Sequence, residues 1–188
     1  MTTLPPTPSQ TVGPYYGIGL PYTDDNLLVP QGSPGSILLW GYVFDGNGEP
    51  VIDSHLEIWQ ADAEGRISRK QGSIRRDGYT FTGYGRSTTD ERGRYWFSTV
   101  NPAAVVWPQQ GSPAAFISMG VFARGLLDRL MTRVYLPESD LERDPLLKNL
   151  DPQRRATMVG SREDDGSLRF DIHLQGDNET VFLNLGHR

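Results

Sequence analysis

Residues 37–62 read ILLWGYVFDGNGEPVIDSHLEIWQAD: an apolar run, a glycine-rich break and a second, alternating run. Asp45, Gly46, Asn47 and Gly48 tolerate positive φ, so the chain can reverse there, and the segment predicts a β-hairpin. Beyond the break Leu56, Ile58 and Gln60 fall on one face, and His55, Glu57 and Trp59 on the other. That period of two marks a strand with one buried face and one of different character.

Working outward, further strands are expected at 94–100, 116–122, 130–136, 168–174 and 180–185, besides 37–44 and 52–60. Turn signals stand at 45–48, 90–93 and 176–178. Short strands with glycine-rich punctuation predict an all-β chain, an antiparallel β-sandwich or barrel with long loops. Short helices are confined to 137–159, where Asp151 can cap and Pro152 can take the first helical position. Residues 1–36, rich in Pro, Gly, Thr and Ser, read as an extended N-terminal arm preceding a sandwich domain over 37–188. Residues 63–84 have no clear period and read as a long loop, where a site is commonly carried.

The 188 residues suffice for one domain with a real core. A net charge of −5 without any Lys/Arg-rich run argues against nucleic-acid binding. No apolar run approaches the ~18 residues of a membrane span. Residues 1–10 lack the basic start and apolar centre of a secretion signal, so a cytoplasmic protein is expected. With no cysteine, thiolate ligands and thiol nucleophiles are excluded.

The candidate donors are few. His55, His173 and His187 are the only histidines. His55 and Glu57 alternate on a strand and are read as polar residues of its less buried face. His173 falls opposite the apolar Phe170, Ile172 and Leu174, and His187 lies next to the C-terminus. Trp40, Trp59, Trp96 and Trp107 read as core or interface residues. Arg133 lies between Met131 and Tyr135 on one strand face, a setting for binding an anion or for a salt bridge at a chain contact.

Several segments together resemble one family: SQTVGPYY at 9–16, residues 45–62 and 85–90, VFARG at 121–125, TRVY at 132–135, QRRAT at 153–157 and residues 169–182. In order and spacing they are similar to the intradiol ring-cleaving dioxygenases, and specifically to the alpha chain of members built from alpha and beta chains. The resemblance implies a shared β-sandwich fold and a ferric ion held by two Tyr and two His of the beta chain. Phenolate and imidazole favour the ferric state, on which a catechol binds as a dianion.

The same resemblance implies that this chain does not hold the iron. Phe116 and Ser118 stand where the family has His-x-His, and Val105 stands where one tyrosinate belongs. Tyr79 and Tyr84 lie near the place of the other. The wall lent to the partner's substrate pocket is matched by Thr11, Gly13, Pro14 and Tyr15 of the arm and by Arg133. The expected partners are therefore an iron-bearing beta chain in a higher-order assembly and a small aromatic substrate, with no catalytic residue in this chain. Two alternatives stay open: a self-sufficient catechol-type enzyme, which the missing His-x-His opposes, and a non-enzymatic sandwich binding module.

Overall fold

The computed structural model describes residues 7–70, 77–105 and 113–184. Nine strands form two layers: β1 (Ser36–Phe44), β2 (His55–Trp59), β3 (Tyr84–Thr88), β4 (Arg94–Val100), β5 (Phe116–Phe122), β6 (Leu130–Tyr135), β7 (Ser161–Arg162), β8 (Leu168–Arg169) and β9 (Ile172–His173). One sheet runs β4–β1–β8–β7 with β9 also on β1, and the other runs β3–β2–β5–β6. The all-β sandwich is as expected, and pairing is antiparallel except where β8 and β9 join β1 in parallel.

The period of two places the core. Leu39 and Val43 of one sheet and Leu56, Ile58, Ile117, Met119, Val121 and Val134 of the other lose all contact with water. Each such side chain contributes about 2 kcal/mol by leaving water. A second cluster of Tyr135, Leu147, Met158 and Val181 lies under the 137–159 segment. That segment holds the expected short helix α2 (Pro152–Ala156), whose cap Asp151 accepts from the Gln153 N–H at 2.8 Å.

Four expectations need correction. The hairpin of 37–62 is not a pair of neighbouring strands, because β1 and β2 lie in different sheets. The Asp45 turn brings only Pro50 and Val51 back onto β1 (Val51 N–H to Val43 C=O, 2.8 Å) before the chain crosses over. β2 accordingly starts at His55, not 52. The strand expected over 168–174 is split where the ladder is interrupted: the Phe170 N–H still donates to the Trp40 C=O at 2.8 Å, but the Phe170 carbonyl turns to the Tyr95 hydroxyl. The Phe170 carbonyl moves over Gly41, and the Asp171 carboxylate replaces a backbone acceptor for the Tyr42 N–H at 3.1 Å. Residues 180–184 hold no strand, and β3 was not foreseen.

The described part of the arm is not extended throughout. Tyr16–Gly19 forms the helical turn α1, and Leu28 is buried in the core. The Leu28 N–H donates to the Ser98 C=O at 2.8 Å, which ties the arm's return to the edge of β4.

Candidate functional site

The arm is docked on its own chain where β2, β3 and the end of β5 meet. Thr11 Oγ1 accepts from the Gly125 N–H at 2.7 Å, and the Tyr16 ring lies 5.3 Å from His55 and 5.6 Å from Phe122. Gly13 and Pro14 line a cleft of about 380 Å³ together with Asp53, Thr88, Thr89 and Arg124. Tyr15, next along the arm, points outward with 77% of its surface exposed, as does Ile18 with 76%. Four arm residues singled out from sequence therefore share one region, with Tyr15 on its outer side.

On the same chain the arginine beside them is Arg124, which lines that cleft. Arg124 pairs with Asp53 while most of its side chain stays in water. Arg133 is held elsewhere by three neighbours. Its guanidinium sits 4.0 Å from the Phe116 ring centroid, Nη1 donates to the Tyr135 hydroxyl at 3.1 Å, and Asp144 lies 4.0 Å away. Burial pushes the Tyr135 phenol up to about 12, so it stays protonated. The VFARG segment was already conspicuous in the sequence. What was missing was any sign that the Thr11 hydroxyl would fold back onto the Gly125 amide.

His55 and Glu57 are themselves buried, although the face they share with the 38% exposed Trp59 is the less buried one of the strand, as expected. Tyr16 covers His55, and Glu57 accepts from Arg86 Nη2 at 2.7 Å and from the Tyr84 hydroxyl at 2.9 Å. Among the described residues neither His55 nitrogen has a hydrogen-bond partner. Burial, helped by the Arg86 charge and opposed by Glu57, lowers its pKa to about 4, so the ring is neutral. His173 is half-buried and stacked on Phe44 at 5.1 Å, and His187 lies outside the described residues.

Val105, Phe116 and Ser118 converge. All three line one cavity of about 220 Å³, with Trp59, Ile67 and Ala115 among its other walls. The three positions thus line one cavity, as donor positions of a common site would.

A family model described as "Dioxygenase" matches residues 11–176. The chain is 42% identical to the protocatechuate 3,4-dioxygenase alpha chain of Pseudomonas putida, covering 96% of this chain and 97% of that one. It is 36% identical to the corresponding alpha chain of Burkholderia cepacia (98% and 100% covered). To the protocatechuate 3,4-dioxygenase beta chain of Burkholderia cepacia it is 33% identical over 77% of this chain and 66% of that one. The chain belongs to the intradiol dioxygenase family.

Within this intradiol dioxygenase fold the cavity does not suit the ferric ion that the resemblance implies. Among the described residues its lining contains no imidazole, phenol or carboxylate side chain. Tyr79 is 95% exposed, and Tyr84 donates its hydroxyl to Glu57. Burial and the Glu57 charge raise the Tyr84 pKa, which opposes the phenolate a ferric site needs. Among the described residues no three His, Cys, Asp or Glu are grouped to hold a metal.

Proposed function

We propose that this chain is the non-iron-binding alpha subunit of a protocatechuate 3,4-dioxygenase, which opens the ring of 3,4-dihydroxybenzoate with O2 to give 3-carboxy-cis,cis-muconate. The observation that carries this reading is the meeting of Val105, Phe116 and Ser118 in a cavity whose described lining offers no imidazole, phenol or carboxylate. In an otherwise intact intradiol sandwich, Fe(III) and the chemistry on it then belong to the partner beta chain. This chain supports that partner and lends it part of a substrate wall. Residues 1–36 serve as the partner-facing arm and 37–188 as the dioxygenase-like body.

Thr11, Gly13, Pro14 and Tyr15 form the contributed wall in this reading, with Tyr15 and Ile18 the apolar contacts left uncovered by the chain itself. Arg133 completes that wall in this reading, and Arg124 beside the arm supplies a further cation for an anionic substrate. No helix among the described residues is long and apolar enough to cross a membrane, and the cytoplasm is the compartment we assign. A sugar-binding module fits less well. Trp40, central in an aromatic row on β1, has the Arg94 and Arg169 guanidinium groups each 5.1 Å from its ring, so it offers no open stacking platform.

The test uses the chain reconstituted with an iron-bearing beta chain. A charge-assisted contact to a carboxylate remote from the reacting carbons should act mostly on binding. Arg124→Ala is expected to raise KM for 3,4-dihydroxybenzoate about tenfold or more and to change kcat less than about threefold. An unchanged KM would remove Arg124 from the pocket, and full turnover by the beta chain alone would overturn the subunit assignment.

A further inference from the structure

We infer that the cavity lined by Trp59, Val105, Phe116 and Ser118 is a binding site for one small uncharged aromatic ring, of the benzene or phenol class. The inference stands on the cavity itself and not on which reaction the assembled enzyme performs. Its volume of about 220 Å³ suits a single ring. A closed apolar cavity of about 150 Å³ stays dry and takes up benzene; this one is larger and partly open to solvent, with Trp59 at its edge.

The lining chemistry narrows the ligand. Trp59, Ile67, Val105, Ala115 and Phe116 present carbon, and among the described residues no charged side chain lines the cavity. The Gln60 amide is already spent: its Nε2 donates to the Ala61 and Val100 carbonyls, and its Oε1 accepts from the Thr99 hydroxyl at 2.7 Å. Ser118 stands opposite Trp59 in the β2–β5 register and uses its hydroxyl for no side-chain hydrogen bond within the described chain. Of the other lining hydroxyls, Thr82 donates to the Tyr84 carbonyl and Ser68 accepts from the Lys70 N–H, each at 3.3 Å, so the Ser118 hydroxyl is the one offered to a phenol. A carboxylate would lose its hydration against these walls without meeting an opposite charge. Arg133 supplies none, since it stacks on Phe116 and does not line the cavity.

Both aromatic walls are held in place before any ligand arrives. Tyr84 packs on Trp59 with ring centroids 5.0 Å apart, while Tyr135 packs on Phe116 at 5.8 Å. Walls fixed in advance reduce the ordering cost of binding.

The experiment titrates the assembled alpha/beta enzyme with fluorobenzene, followed by ¹⁹F NMR relaxation, with phenol and benzoate as competitors. Saturable binding displaced by phenol and not by benzoate is expected. Ala115→Phe and Ser118→Leu, which fill the cavity, should each weaken it at least tenfold in assemblies that still form. Should neither variant assemble, crystals of the unaltered assembly soaked in bromobenzene should place bromine between Trp59 and Phe116. Absent saturation, displacement by benzoate, binding that survives both substitutions, or a partner side chain filling the cavity would overturn the inference.

Discussion

Gly41→Ala should leave little folded protein. A Cβ at this position would lie 1.8 Å from the Phe170 carbonyl oxygen and 3.1 Å from the Tyr95 hydroxyl. Neither neighbour can give way cheaply. The Tyr95 hydroxyl donates to that carbonyl at 2.5 Å in the core, and the Phe170 N–H donates to the Trp40 C=O at 2.8 Å. Moving Phe170 would pull β8 and β9 off β1 and strand a buried hydroxyl. Overpacking and a lost buried hydrogen bond together cost about 4 kcal/mol or more, most of the stability of an ordinary domain. Urea unfolding, or the soluble fraction on expression, reads the loss. Gly17→Ala is the control, because nothing lies within 4 Å of its added Cβ. Equal stability of the two variants would contradict the packing described.

The second large effect is on pH dependence. His55 is wholly buried with a pKa of about 4 in the folded chain, against the ordinary value of 6.5. Below pH 6.5 the unfolded chain binds a proton that the folded chain refuses until about pH 4. Stability from the neutral ring is therefore complete above pH 6.5 and falls as the solution is acidified. The loss is about 1.4 kcal/mol per pH unit, reaching about 3 kcal/mol near pH 4. His55→Phe keeps an aromatic partner for Tyr16 and should remove that part of the acid sensitivity. Unfolding midpoints at pH 7 and pH 4.5 for the two proteins give the difference directly. Parallel losses in both would show that His55 titrates normally.

The parts of the fold legible in the sequence are those where side-chain alternation acts alone. β4 and β5 begin and end where expected, because the fully buried Tyr95 and Phe97, and Ile117 and Met119, recur at every second position. Where another segment supplies the packing, the pattern is silent. β3, with the sequence YGRST, has almost no apolar signal of its own. Its inward Gly85 is small because Leu28 of the arm occupies the space, 2.3 Å from where a Cβ would stand. The split between β8 and β9 was equally invisible, since it depends on Asp171 imitating a backbone acceptor across 129 residues.

The candidate site divides the same way. The residue types at 105, 116 and 118 were readable by resemblance, and their meeting in one cavity is a fact of the fold. The burial of His55 and Glu57 was not readable, because the cover comes from Tyr16 and Arg86, on segments far from both in sequence. Arg124 gained its place only when Thr11 closed onto Gly125.

The most direct test of the central assignment is the metal content of this chain purified without a beta chain after expression in iron-supplied cells. Elemental analysis and the visible spectrum are read on the same sample. The expected result is no stoichiometric iron and no tyrosinate-to-iron absorption, with both present after co-expression with the beta chain. One iron per chain in the protein purified alone, with that colour, would contradict the assignment.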